Sequence, residues 1–525
     1  MFGQSFDQFK GLEKFAKLVE KERKIDAKTE ERIIKAIPKR FSEDREYFEH
    51  VILESLNLLR SYKPTITIPT IDMHFEKKDA LPLFMQGLLW ENWKRSDTDG
   101  TTVFLENYSD RGANNLKKKA YFSGLTSELY DEFYEEKVAT FFDSMLASCN
   151  QNKPLIEIYN NGYLDLYWNL HLQACPDDIP AEAKQVALDF INCWAIFVPL
   201  NPDDLEKSLS FKESYMSVRN NREALNSWIE SRVQMIQANP EEYKDTFVYY
   251  WLQNDGDTGE GFETKDITFE CFHNYLALSQ WGNTIYGIMD LLREDNAEGN
   301  APAVQAKFKE VMEADQTPDE SGFTPLDYFV SELFRVIMPN GGSVSRFYGT
   351  AIPGMDNNAE FAEEVDELSI QLHAFAANSS LFWEDASATG APFNPDRYQN
   401  VPKSDALDEE AFKQSAGLAK CPFDHSAITT KDGRTIENNM FGTTYSKTTD
   451  GKSCPVIETA GYSPFGFGYR RCPGELLTVN VFKTFLKHVW DNNITFYNLN
   501  LSNPESTPIA PGRFIDDNIG MKIQD

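Results

Sequence analysis

One large, mainly α domain with a small β lobe is the fold class this sequence predicts. Apolar residues recur at three- and four-residue spacing through several long stretches, the period of a helix buried on one face. Two-residue alternation is confined to short segments, the period of a strand. No internal repeat and no linker interrupts residues 1–525, so a single domain is expected across the whole length.

Element by element, residues 8–60 read as charged amphipathic helix. Thr65–Ile68 and Thr101–Leu105 are strand candidates. Ser127–Cys149 and Ala181–Phe197 have helical spacing. The acidic, glycine-rich Asn254–Gly261 is a loop; its aspartates are spaced somewhat like a calcium loop, but the glycine falls one position early. A long apolar helix is expected from Ile267 to Arg293, ended by the breaker Glu294–Pro302. Residues 324–338 form the next helix. Thr324 is its N-cap, Pro325 its first residue, and Asp327 the acid of its first turn. Alternation returns in Ser343–Ile352 and Leu368–Ala374. Residues 399–460 are polar and rich in turns, and 402–460 reads as a surface insertion. A helix over 475–490 and strands at Ile494–Leu499 and Ile519–Ile523 complete the pattern.

Composition excludes several classes of function. Acidic residues outnumber basic ones, 82 to 51, for a formal charge of −31. Phosphate backbones and anionic lipid need the opposite sign, so no nucleic-acid partner is expected. The 38 Phe, 22 Tyr and 9 Trp supply bulk for a large core, which argues against disorder. The N-terminal residues carry charges every few positions, with neither a secretory apolar run nor a membrane span. Seven cysteines are few and odd in number. They suit a soluble, cytoplasmic chain rather than a disulfide scaffold.

Four cysteines precede proline, so Cys-Pro alone discriminates nothing. Cys472 stands apart, in Ser463-Pro-Phe-Gly-Phe-Gly-Tyr-Arg-Arg-Cys-Pro-Gly-Glu475. The glycines allow tight turns and close approach to a flat ligand. The arginines offer cations to an anionic one. Pro473 suits the first position of a helix, which puts Cys472 at a helix N-terminus. There the dipole favours thiolate over thiol, the form an iron ligand needs. The segment resembles the haem-binding loop of the cytochrome P450 family, Phe-x-x-Gly-x-Arg-x-Cys-x-Gly. Phe465, Gly468, Arg470, Cys472 and Gly474 match every defined position.

A second motif, Glu332-Leu-Phe-Arg335, places an acid and a base on one helical face within ion-pair reach. Its apolar neighbours Phe329, Val330, Leu333, Phe334 and Val336 point to burial. The resembled family has a Glu-x-x-Arg helix in this order, joined by an arginine from a later segment. Phe393-Asn-Pro-Asp-Arg-Tyr398 looks like that segment and makes Arg397 the third partner. The implied role is structural, and a buried triad is costly to break. By the same resemblance Arg470 and Arg346 bind the haem propionates. The family's tryptophan-containing propionate helix has no tryptophan here, and Lys117–Lys119 stand near its place.

The long helix reads Leu276-Ala-Leu-Ser-Gln-Trp-Gly-Asn-Thr-Ile-Tyr-Gly-Ile288. Gln280, Asn283, Thr284 and Gly287 make one polar and small stripe along it. The family carries an acid–threonine pair over the haem, and here Asn283 replaces the acid ahead of Thr284. Asparagine cannot shuttle a proton as a carboxylate does. The variant is similar to that of sterol hydroxylases and prostacyclin synthase.

The resemblance implies the cytochrome P450 fold, a haem b cofactor with Cys472 as the iron ligand, and Asn283 and Thr284 at the distal ligand. It implies a haem-thiolate monooxygenase that oxidises an apolar or aromatic small molecule with dioxygen, by hydroxylation or coupling. Electrons would come from a separate ferredoxin or flavoprotein reductase, since no flavin or nicotinamide signature appears. The alternative is an isomerase or dehydratase acting on a fatty-acid hydroperoxide without electrons. A haem sensor is a third reading. Cys421, His425 and Cys454 in the insertion fit no zinc spacing well.

Overall fold

The computed structural model describes nearly all of residues 121–186, 205–253, 262–339, 383–399 and 472–499. It also describes short stretches at 66–69, 343–347, 367–370, 427–429, 435–437, 457, 462, 464–465, 507–510, 513–515 and 519–524. The expected helix over 8–60, the strand Thr101–Leu105, the loop Asn254–Gly261 and the cysteines of the insertion lie outside these residues, as do Lys117–Lys119.

Helices dominate what is described. Thr126 caps a short turn by accepting from the Leu129 N–H. A π turn follows at Tyr130–Tyr134 and leads into α1, Glu135–Leu146. The helix expected over Ser127–Cys149 is thus observed as an unbroken helical run from Ser127 to Leu146 with a π turn inside it. After α1 come α2 (Leu155–Leu172), α3 (Leu205–Ala238) and the short α4 (Phe247–Leu252). The long apolar helix appears as α5, Thr264–Leu292. The breaker is observed as well: α6 begins at Ala301 and runs to Glu313.

Helix α7, Pro325–Ile337, starts as its sequence predicts. The Thr324 hydroxyl accepts from the Asp327 N–H at 3.2 Å, and the Asp327 carboxylate accepts from the Thr324 N–H at 2.8 Å. Such a reciprocal cap satisfies two donors that a helix start otherwise leaves open. The helix stops at Met338, whose φ of 46° is left-handed, a conformation rare for a side chain of this size. Helix α8, Glu475–Asp491, packs against α7, and its Lys483 bridges Asp327 at 2.7 Å.

Strands are short and antiparallel. β1 (Ile66–Pro69), β2 (Ser343–Phe347) and β3 (Glu367–Ile370) form one sheet in that order, with Arg346 opposite Glu367. β4 (Ala427–Thr429) and β5 (Thr435–Glu437) make a small hairpin inside the insertion. β6 (Ile494–Asn498) pairs with β9 (Ile519–Ile523), joining the chain end to the strand after α8. β7 (Thr507–Ala510) and β8 (Arg513–Ile515) pair in a hairpin the sequence reading missed. The fold is mainly helical with a small antiparallel lobe. Among the described residues no helix is long and apolar enough to cross a membrane.

Helix α5 packs against α2, α3, α6 and α7 and against β6 and β9, so it is the element around which the others assemble. Its apolar positions Ile267, Trp281, Ile285, Ile288 and Met289 are all buried in the main core. One contact needs a glycine. A Cβ on Gly287 would sit 2.7 Å from the Ile337 side chain of α7. Ile337 is β-branched and stiff, so it has little room to yield. The close crossing of α5 and α7 depends on that missing methyl.

Candidate functional site

The buried Glu332–Arg335 pair forms as the spacing predicts, and deeper than expected. Both side chains have 0% exposure and meet at 2.6 Å. Arg335 also donates to the Pro392 carbonyl at 2.9 Å. Burial alone would lower the Arg335 pKa, but the Glu332 carboxylate beside it outweighs that and raises it. Arg397 joins through Nε at 3.1 Å, so the expected triad is present.

Two further groups complete it. The Asn394 N–H donates to Glu332 Oε1 at 2.8 Å, and the Tyr398 hydroxyl donates to Oε2 at 2.7 Å. Asp385 holds the outer face of Arg397 with two bonds at 2.9 and 3.1 Å, and the guanidinium lies 4.7 Å over the Trp383 ring. The sequence assigns no role to Tyr398, the last residue of the Phe393–Tyr398 segment, and does not point to Asp385 at all. Tyr398 was the more accessible of the two, since it directly follows Arg397 and is aromatic in a polar segment.

Cys472 is half-buried. Its N–H donates to the Phe465 carbonyl at 2.7 Å, which closes the loop between them. The Phe465 ring lies 5.0 Å from Phe334 of α7 and so ties that loop to the helix bearing Glu332. Helix α8 begins at Glu475, with Gly474 as its N-cap and no side chain capping it. Pro473 was expected at the first helical position. The helix starts two residues later, so Cys472 stands just ahead of the cap rather than at it. A Cβ on Gly474 would lie 3.7 Å from the cysteine sulfur, an ordinary contact, so the sulfur sits directly over the helix entrance. The Tyr121 pKa is raised by burial first, then by Glu270 and by Cys472. That coupling brings Tyr121 into the electrostatic surroundings of the cysteine. Its hydroxyl donates to Asn274 of α5 at 2.8 Å.

On α5, Thr284 is buried and its hydroxyl donates to the Gln280 carbonyl at 3.1 Å. Trp281 lies three residues before Thr284 on α5. It is buried, and its indole N–H reaches the Thr478 hydroxyl of α8 at 3.2 Å. Gly287, grouped with the polar stripe by its spacing, has its own packing partner in Ile337. Gly468 and Arg470 lie outside the described residues. Arg346 and Asn283 are placed by backbone alone, on β2 and α5. Among the described residues no group of three or more His, Cys, Asp or Glu could hold a metal ion.

No family model and no curated protein matches the sequence. Solved structures do match the fold. A cytochrome P450, CYP102L1, is similar over 90% of this chain and 91% of its own, with 12% identity and a TM-score of 0.52. The retinoic-acid-bound cyanobacterial CYP120A1 is similar over 88% and 85%, with 12% identity and a TM-score of 0.51. A variant haem domain of cytochrome P450DA is similar over 83% and 82%, with 11% identity and a TM-score of 0.51. The chain has the cytochrome P450 fold.

Proposed function

We propose that this chain is a haem-thiolate oxidoreductase that oxidises an apolar or aromatic small molecule. The observation that carries this reading is the setting of Cys472. A half-buried thiol stands just ahead of a long helix, in a loop closed onto Phe465 and fastened to the helix of a buried ionic triad.

The donor chemistry fits an iron porphyrin. A helix N-terminus stabilises thiolate, and one soft anionic ligand at the head of a helix suits haem iron. Cys472 would be the iron ligand of a haem b, with Phe465, Gly468 and Gly474 shaping the loop. Arg470 and Arg346 would meet the propionates. When bound, such a group supplies oxidation chemistry that no side chain can. Electrons would come from a separate ferredoxin or flavoprotein reductase.

The protein's own residues set the limits. Cys472 supplies a negative sulfur. Glu332, Arg335 and Arg397 fix the helix against which its loop rests. Asn283 and Thr284 would face the distal ligand. Thr284 spends its hydroxyl proton on Gln280, and Asn283 has no titratable proton. Both facts favour a second reading, a hydroperoxide isomerase or dehydratase, which needs neither electrons nor proton delivery to dioxygen. The similarity of this helix to sterol hydroxylase and prostacyclin synthase variants spans both readings.

The test is the carbon monoxide difference spectrum of the dithionite-reduced, haem-loaded protein, beside Cys472→Ala. A red-shifted thiolate band present in the wild type and lost in Cys472→Ala is the expected result. The same band persisting in Cys472→Ala would refute the ligand assignment. Turnover of a lipid hydroperoxide with no electron donor would move the choice to the second reading.

A further inference from the structure

We propose that Tyr398 is a positioning residue, which holds the approach to Cys472 in place through its hydroxyl on Glu332 and its ring against Tyr462. The proposal rests on Cys472 being the working ligand, and it adds a residue outside the ionic triad.

The path is continuous. Tyr398 has no exposed surface, and its hydroxyl donates to Glu332 Oε2 at 2.7 Å. Its ring meets Tyr462 edge-on, with centroids 5.5 Å apart and planes at 78°, and Trp383 at 6.0 Å and 87°. Edge-to-face contact of this kind fixes ring orientation as well as burying area. Tyr462, Ile457, Trp383 and Tyr398 belong to one small apolar cluster, and Phe465 packs against both that cluster and the main core. Phe465 then accepts the Cys472 N–H. The chain entering the cysteine loop is thus seated on a wall of rings, and Tyr398 is the ring fastened to the ionic hub.

A phenylalanine would fill the same space. The hydroxyl is what distinguishes the wall from ordinary packing, since its bond to a carboxylate is directional and stronger than a neutral one. Burial first, then the Glu332 charge, raises the Tyr398 pKa. The hydroxyl therefore remains a donor throughout the working pH range.

The experiment compares Tyr398→Phe with Tyr134→Phe in the full-length protein. Tyr134 is also fully buried, and its hydroxyl donates to the Gly124 carbonyl at 3.0 Å, a bond that makes no link to the cysteine loop. Amide hydrogen exchange is read on the peptide that carries the Cys472 N–H, with and without haem, after correction for each variant's global stability. Tyr398→Phe should speed exchange there by roughly tenfold, the usual worth of a hydrogen bond to a charged group, and Tyr134→Phe should not. Unchanged exchange at that peptide in Tyr398→Phe overturns the proposal, even if overall stability falls as far as in Tyr134→Phe. Should Tyr398→Phe not accumulate, Tyr462→Leu removes the ring contact, leaves the triad intact and should give the same local response. The carbon monoxide band separates the two readings. A local exchange response without a red-shifted band in the wild type leaves Tyr398 as the tether and removes the haem-thiolate reading. A red-shifted band without the exchange response does the reverse.

Discussion

Glu332 and His171 are both sealed from solvent, and the protein treats them in opposite ways. Glu332 receives donors from Arg335, Arg397, Tyr398 and the Asn394 N–H, all at 3.1 Å or less. His171 on α2 sits among rings, stacked on Tyr167 at 4.1 Å and edge-on to Phe247 at 4.8 Å and Trp251 at 5.6 Å. Its Nδ1–H donates to the Tyr167 carbonyl at 2.8 Å, and among the described residues its Nε2 has no partner. Burial pushes its pKa down to about 3, so the ring stays neutral. A carboxylate surrounded by donors sits in an ionic site, whereas an imidazole surrounded by rings gives up its charge.

The largest expected effect comes from removing the centre of the ionic region. Glu332→Ala takes the paired carboxylate away from Arg335, whose side chain has no exposed surface and which keeps the Ala391 and Pro392 carbonyls. Stranding a buried charge costs about 3–5 kcal/mol, so the urea midpoint should fall steeply or the protein should fail to accumulate. A loss below about 1 kcal/mol would mean that water reaches Arg335 and that the region is not sealed.

The aromatic region is broken by acid instead. The folded state holds His171 neutral down to about pH 3, while an unfolded histidine protonates near 6.5. As pH falls through 6.5 the unfolded chain gains a proton that the folded chain refuses. Stability is therefore whole above that value and drains below it, by about 2 kcal/mol between pH 7 and pH 5. Asp131, Asp165 and Asp290 run the other way. Burial raises their pKa values, so the folded state accepts protons earlier and gains from acid. The clean measurement is the difference between wild type and His171→Phe in urea at both pH values. The variant should lose less stability than the wild type on moving to pH 5. Equal losses would show that the ring protonates in the folded state.

The two regions also differ in how far the sequence reveals them. Glu332 and Arg335 share one helical face, so their spacing announces the pair before any fold is known. Arg397 and Cys472 became visible through motif resemblance. Tyr398 and Asp385 did not, because their roles arise only when separate segments fold onto Arg397 and Glu332. Nothing in the sequence singles out His171 for the same reason, since its box is built from α2 and α4 together. Gly287 shows a different case. Its spacing grouped it with a polar stripe, whereas the structure gives it a steric task against Ile337. Helical order was legible because it is local. The β7–β8 hairpin was not, since its strands are too short to show alternation.

The smallest effect tests where the ionic region ends. Asp385 grips Arg397 with two bonds yet is 39% exposed, while Arg397 itself is 5% exposed. Asp385→Asn removes a charge but keeps an acceptor. Arg397 retains Glu332, the Pro392 carbonyl and the Trp383 face. No buried charge is stranded, and water screens the one that is lost. The change in urea stability should therefore stay below about 1 kcal/mol. A larger loss would move the boundary outward and make Asp385 a full member of the hub. What separates Asp385 from Glu332 is the state each leaves behind, since both make short bonds to the same arginine and only one strands a charge beyond the reach of water.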